Sequence, residues 1–540
     1  MSGGGKGPGK LATAAAVGAG AMLYNKYVKH SDKTTRAERC KVQGVKVAIL
    51  GGGMSGMCAA IKLMEAGIPF EIFEKSNGFG GTWRHNDYPD CGCDVPSHLY
   101  SFSFEPRSNW SRKWAKREEI LAYFEEVAAK YGLAKHTHFG AAIKSAHFNN
   151  DTKRWNIKVE YADGSTKESE FTFFVPATGQ LGIPKLPNVP GIEDFKGVSF
   201  HTTQWDHSVD MKGKRVIGIG TGASAIQAFP VVAKEAKHMT VIQRSPIWAV
   251  AKDDFEYTDT QKAVFEYVPF AMKAYRSFFF LFNELLYNLV ETRNSNSLFY
   301  TFCRDAFANG MMRDSENRYP AEKIIPEYGI GCKRVALAEN WFPMLSWDNV
   351  DLITSAEKSL KRITPTGVEY SDGSTEEADV LIYATGFYSS AFMSQIDIRN
   401  GDGLALQDFW SKDNDYPRAF KSMAVPNFPN LFFCYGPGSN LAHSSIIFMV
   451  ETQVNYAVRH ISYMIDIGAA TIEVKEEKYE EDTKRLQSEL QQTTFADPNC
   501  TSWYKRPDGT IINNWAGNCI RFWHHLSSLD KGDYQLGARL

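Results

Sequence analysis

An excess of charge of either sign is missing from this chain. Its 60 basic and 62 acidic residues leave a formal net charge of −2 over 540 residues, and the sequence pI is about 6.7. That balance offers no electrostatic footprint for nucleic acid. Cysteine is sparse too. Nine cysteines lie scattered without the rhythm of a disulfide scaffold or zinc site, which suits a reducing compartment. Cys91 and Cys93 are the one close pair, but they lack the Cys-x-x-Cys spacing of a redox or metal unit and read as structural thiols. No metal-ligand spacing and no Ser/His/Asp order stands out, so no metal is expected, and His524-His525 reads as a solvated or packed pair. A long apolar run is also lacking. Residues 11–24, LATAAAVGAGAMLY, are too short for a comfortable membrane span. They fit a signal-peptide core, a weak membrane-surface anchor or a disordered leader. Without a clear cleavage site, a retained leader or weak anchor is expected, followed by a polar linker over residues 25–43. The expected location is the cytoplasm or the cytosolic side of a membrane.

What the chain does have is bulk and glycine. At 540 residues and 43% hydrophobic content it is long enough for two or more cores. Residues 45–50 read as a buried strand, and Gly51-x-Gly53-x-x-Gly56 follows at once. A helical period runs over residues 55–65, Gly67 ends it, and a second strand over 70–73 leads into Glu74. A lone glycine motif is weak, but strand, glycines, helix and distant acid together form a dinucleotide fingerprint. The first glycine permits the tight turn, the second lets backbone approach the pyrophosphate, and the third lets helix pack on strand. The helix N-terminus attracts the anion, and Glu74 can accept from a ribose diol.

The pattern recurs. A strand over residues 215–218 is followed by Gly220-Thr221-Gly222-Ala223-Ser224-Ala225, with alanine in the third glycine's place. The next strand, residues 239–243, ends not in an acid but in Arg244-Ser245. An acid there would repel a 2′-phosphate, whereas arginine and serine can bind one. The first fold should therefore take FAD and the second NADPH, with hydride passing between them. A solvated surface arginine is the plain alternative for Arg244.

PATG at 176–179 and IYATG at 382–386 each end a strand in Ala-Thr-Gly, as expected where a chain crosses between two nucleotide domains. The expected class is α/β, with two Rossmann-like domains and a helical insertion. A leader and linker occupy 1–43. The FAD fold takes 44–183 and 386–540, the NADP fold 184–250 and 333–385, and the insertion 251–332. Within the insertion, AMKAYRSFFFLFNELLYNLV is apolar over too much of its surface for a free helix. It packs into a core, lines a greasy channel or touches a membrane.

One motif fits neither the helical nor the strand period: FKGVSFHTTQWD, residues 195–206. Phe195, Gly197, His201, Trp205 and Asp206 match the Phe-x-Gly-x-x-x-His-x-x-x-Trp-Pro/Asp fingerprint of the flavin-dependent Baeyer–Villiger monooxygenases, which the chain resembles from about residue 45 to about residue 523. A second motif of that family is met by Gly81, Trp83, Tyr88, Pro89 and Asp94, although Asp90 stands where the family usually has Gly or Met.

The resemblance implies a reaction. NADPH reduces the flavin, O2 forms a C4a-peroxyflavin, and its peroxide attacks a lipophilic ketone to give an ester or lactone. It further implies that Arg334, in Cys332-Lys333-Arg334, stabilises negative charge on the peroxide and adduct. Asp94 would position Arg334, and Lys333 would assist Arg244. Ser55, Glu74, Thr82, Trp83, Asp94, Val95, Tyr100 and Ile446 match flavin contacts; Gly220 to Ile226, Arg244 and Ser245 match the NADP site. Residues 500–510 match a mobile loop anchored by Trp503. His201 reads as a hinge or structural residue rather than a base. An N- or S-hydroxylating monooxygenase is the alternative on the same chassis. A reductase or oxidase without oxygen insertion is disfavoured by the lack of a Cys-x-x-Cys pair. Substrate and oligomeric state are not legible.

Overall fold

The computed structural model describes residues 33–290, 297–412 and 416–537, and leaves aside the side chains of 288–290. The first nucleotide fold is built on β1 (Val47–Leu50), β2 (Phe70–Glu74), β3 (Thr137–Phe139) and β4 (Phe173–Pro176), in the order β3-β2-β1-β4 and parallel throughout. The four residues of β1, Val-Ala-Ile-Leu, are all buried, as a parallel strand covered on both faces requires. The second fold has five parallel strands: β5 (Val198–His201), β6 (Arg215–Ile219), β7 (His238–Gln243), β8 (Val350–Thr354) and β9 (Val380–Tyr383). Their order is β8-β7-β6-β9-β5. A separate antiparallel sheet, Ala141–Asn149, Arg154–Tyr161 and Thr166–Phe171, is joined at its edge by Asp397–Arg399.

Each fold places a helix directly after its glycine turn. These are α1 (Met54–Ala66) and α2 (Ala223–Glu235). Gly67 ends α1 in the left-handed conformation, φ 75°, and closes the last turn with backbone bonds to Leu63 and Met64. The two turns share one packing solution. Gly51 has φ 104° and Gly220 φ 109°, values costly for any residue with a Cβ. A Cβ on Gly51 would fall 2.8 Å from the Ala177 carbonyl oxygen, and one on Gly220 would fall 2.4 Å from that of Ala384. The two Ala-Thr-Gly turns thus press on the first glycine of each fingerprint.

Gly56 carries the helix-on-strand contact: a Cβ there would lie 1.9 Å from the Gly51 carbonyl oxygen. At Gly222 a Cβ meets nothing within 4 Å. Gly56→Ala must force α1 off β1, an overpacking strain of roughly 1–3 kcal/mol or more, and is expected to yield protein poor in flavin or insoluble. Gly222→Ala is expected to keep fold and flavin while raising KM for both NADPH and NADH, because its methyl stands in the coenzyme's approach. The flavin-to-protein absorbance ratio and coenzyme titrations check the pair; equal behaviour of the two variants would contradict it.

Two expectations need correcting. Part of the presumed linker is a helix, Lys33–Gln43, with Arg36 and Cys40 buried. Its arginines reach across the chain: Arg36 pairs with Asp466 at 2.9 Å and Arg39 at 3.3 Å. An ion-paired helix lacks the apolar stripe that makes a helix legible. The expected 11–24 leader lies outside the described residues. Also, two cysteines do pair: Cys332 and Cys500 form a disulfide across 168 residues of sequence. Cys91 and Cys93 are free and buried, as read.

The insertion consists of α3 (Asp259–Tyr267), α4 (Ala271–Val290) and α5 (Leu298–Asp314). On α4, Phe279 and Phe280 are buried, while Phe278, Leu281, Phe282 and Leu285 form an exposed stripe. Among the described residues no helix is long and apolar enough to cross a membrane.

Candidate active site

At the first glycine turn Glu74 is 5% exposed. Its carboxylate accepts from the Gly52 backbone N–H at 2.6 Å and from Ser76 N–H and Oγ, both at 2.7 Å. This pins the acid beside the turn. Gly53 caps α1 without a side-chain hydrogen bond, as Gly222 caps α2, so both first turns keep their backbone N–H groups for an anion. A Cβ on Gly81 would fall 2.9 Å from Gly53 Cα. Only bare backbone on both sides makes that close approach. Each turn fits a dinucleotide pyrophosphate.

Around the first turn, Ser55, Val95 and Tyr100 are buried. Gly81 caps the short helix Thr82–His85, whose Trp83 donates through Nε1 to Tyr100 Oη at 3.1 Å. Ile446 opens α6 (Ile446–Ile467), capped by Ser445. Asp90 holds φ 62° and pairs with Lys116. A left-handed residue at this place accounts for the family's frequent glycine, and aspartate is among the residues that tolerate it.

At the second turn Thr221, Ala225 and Ile226 are buried, and Ala223 and Ser224 begin α2. Arg244 is exposed at the end of β7. Beside it Lys333 Nζ donates to Ser245 Oγ at 2.9 Å. Burial, and then the Arg244 charge, push the Lys333 pKa down to about 8. Two cations and a hydroxyl are gathered here, a donor set able to bind a phosphate dianion.

The next residue turns the other way. Arg334 meets Asp94 with two hydrogen bonds, Nε to Oδ2 and a terminal nitrogen to Oδ1 at 2.9 Å. Burial works against the guanidinium charge, but Asp94 outweighs it and raises the pKa. The side chain stays 30% exposed, so part of the charge is left open to solvent. One dipeptide thus reaches both folds, Lys333 to the second and Arg334 to the segment following the first.

The fingerprint residues stand elsewhere. Phe195 is buried, and a Cβ on Gly197 would strike its ring at 2.5 Å. His201 ends β5, 2% exposed, with Nδ1 accepting from Thr203 N–H at 3.2 Å. Its ring lies against Phe387, just beyond the second Ala-Thr-Gly turn, at 5.9 Å. Trp205 packs edge-on against Phe200 at 5.0 Å. Asp206 accepts from Ser208 N–H and Oγ at 2.9 and 2.6 Å. This cluster packs around the crossover at the end of β5.

Sequence reasoning missed three neighbours of Arg334. Tyr504 and Cys93 act electrostatically on the guanidinium. Tyr435, left-handed at φ 63°, donates to Asn440 Oδ1 at 2.8 Å; burial, followed by Tyr504, holds its phenol pKa up. No local pattern marks these tyrosines. In the expected mobile loop, Trp503 is 42% exposed and Tyr504 2%. The hairpin is held by Tyr504 and by the Cys500–Cys332 bond beside Lys333.

Cutting that bond with Cys500→Ser is expected to cost roughly 2–4 kcal/mol, seen as a lower Tm. Arg334 stays clamped by Asp94, so turnover at low temperature is expected to survive. An unchanged Tm would contradict a bonded pair in solution.

Comparison with known proteins agrees with this arrangement. Residues 44–260 match the FMO-like family model, flavin-binding monooxygenase-like. A Baeyer-Villiger monooxygenase of Pseudomonas aeruginosa is 35% identical, with 91% of each chain covered. One of Streptomyces coelicolor is 33% identical over 91% of this chain and 92% of that one. The FAD-binding monooxygenase ktnD of Aspergillus niger is 36% identical over 91% and 81%. Among solved structures, oxidized steroid monooxygenase bound to NADP superposes with a TM-score of 0.79 at 26% identity, covering 91% of this chain and 99% of that one. Closed cyclohexanone monooxygenase gives 0.79 at 25% identity, covering 92% and 99%. The chain belongs to the Baeyer–Villiger group of flavin-binding monooxygenases. It is an FAD-containing, NADPH-dependent monooxygenase.

Proposed function

We propose that this enzyme inserts one atom of O2 into a lipophilic ketone, giving an ester or lactone. The observation that carries the reading is the Lys333-Arg334 dipeptide, with Lys333 beside Arg244 and Ser245 and Arg334 clamped by Asp94. FAD bound along the first fold supplies hydride acceptance from NADPH and oxygen activation. The chain supplies the rest. The α1 N-terminus and Glu74 hold the dinucleotide, and Arg244, Ser245 and Lys333 hold the 2′-phosphate. Asp94 fixes Arg334 in place and in charge, so its guanidinium meets developing negative charge on oxygen without reorganising. Half-buried Tyr435 and buried Tyr504 help close that space to water.

The domain boundaries expected above follow the same reading: FAD fold, NADP fold with its insertion, and a return to the FAD fold. Need for NADPH supports a cytosolic location. The Cys332–Cys500 bond is compatible with it because the cysteines are 0% and 1% exposed, out of reach of a soluble reductant.

The test is coupled turnover. Purified yellow protein with NADPH and O2 is given a panel of ketones and sulfides. The expected result is ester or lactone matching the NADPH consumed. Sulfoxide as the main product would shift the assignment to heteroatom oxidation; hydrogen peroxide alone would mean an oxidase.

A further inference from the structure

Glu284, His443 and Cys519 come from three distant parts of the chain. Glu284 lies on α4, His443 lies in the turn before α6, and Cys519 opens α7 (Cys519–His525). Their pairings span 159 and 76 residues, so no spacing motif announces them. All three are buried. His443 Nε2 lies 3.3 Å from Glu284 Oε1 and 3.9 Å from Cys519 Sγ. The three ligand atoms all fall within 4.8 Å of one another.

We propose that these residues bind one zinc ion, which pins the helical insertion to the wall formed by the 440s turn and α7. Zinc bonds of about 2.0–2.3 Å to nitrogen, oxygen and sulfur set tetrahedral edges of about 3.3–3.8 Å. The Glu–His edge is already that length, and the His–Cys edge needs only a small contraction. One carboxylate, one thiolate and one neutral imidazole offset the two positive charges of the ion, so the complex is neutral and suits burial. A sulfur–nitrogen–oxygen donor set selects zinc over magnesium or calcium. The carboxylate is already aimed: the backbone N–H groups of Cys519 and Ile520 donate to its two oxygens at 3.1 and 3.2 Å. Such outer hydrogen bonds orient metal ligands in general. A water completes the fourth position, beside the buried Ser444. The plain alternative is a hydrogen-bonded trio in which Glu284 caps α7 and His443 packs between its neighbours.

Metal content separates the two. Flavin-loaded protein is purified without chelators, incubated with zinc chloride, desalted and analysed by plasma mass spectrometry. The expected result is one zinc per chain, falling at least tenfold in Cys519→Ser and in His443→Ala at unchanged flavin content, and retained in Cys519→His. If the variants do not fold, cobalt(II)-loaded parent protein decides. Intense ligand-field bands at wavelengths beyond flavin absorption support a tetrahedral thiolate site, and their absence overturns it. Well-folded parent protein that holds no zinc after loading, or zinc unchanged by both substitutions, also overturns the proposal.

Discussion

Arg334→Ala is expected to keep its yellow colour, to bleach with NADPH, and to stop making ester. Flavin binding should persist because Glu74, the α1 N-terminus and the Gly53–Gly81 approach do not involve Arg334. Bleaching should persist, if more slowly, because Arg244, Ser245 and Lys333 still hold the coenzyme. In the proposed reaction, oxygen transfer is the step in which negative charge develops beside the guanidinium. Removing one such stabiliser typically costs about 10²–10³ in rate. Arg334→Lys should rescue poorly, since a point charge cannot bridge both Asp94 oxygens as the planar fork does. Asp94→Asn should lose part of the same rate by leaving the arginine unclamped. Stopped-flow bleaching and product yield separate the steps. A variant that makes ester at the parent rate would remove Arg334 from the mechanism.

The second large effect concerns coenzyme choice. Arg244→Ala is expected to raise KM for NADPH by about tenfold to a hundredfold, as loss of a charge-assisted phosphate contact worth about 1.5–3 kcal/mol predicts. KM for NADH, which lacks the phosphate, should hardly move. Lys333 adds a pH signature. Its pKa is lowered to about 8 by burial and Arg244, so free enzyme carries this charge below that pH and loses it above. KM for NADPH should therefore climb as pH rises through about 8. In Arg244→Ala the climb should begin at higher pH, because the charge that helps depress Lys333 is gone. Equal effects on both coenzymes would mean that this cluster does not read the phosphate.

What could be read from sequence were features in which one residue type is forced locally. Gly56 tolerates no Cβ against Gly51, Glu74 must end a strand beside the turn, and Arg244-Ser245 replaces an acid. The Ala-Thr-Gly turns were visible for the same reason: their carbonyl oxygens press on Gly51 and Gly220. Contacts made across the chain left no local trace. Cys332 and Cys500 are 168 residues apart, and Tyr435 reaches the arginine's surroundings only through tertiary folding. Helix Lys33–Gln43 reads as linker in sequence because ion pairs to Asp466, rather than an apolar stripe, hold it. The resemblance points to Trp503 in its loop, while Cys500 and Tyr504, whose partners lie far off in sequence or in tertiary packing, fasten that loop.

The central claim is oxygen insertion into a carbon–carbon bond next to a ketone. Its most direct measurement is turnover under ¹⁸O2, with NADPH and a lipophilic ketone, followed by mass spectrometry of the product. The expected product is an ester or lactone carrying one labelled oxygen, formed by the parent enzyme and lost in Arg334→Ala. Unaltered ketone with NADPH consumed, or ester formed without label, would contradict it.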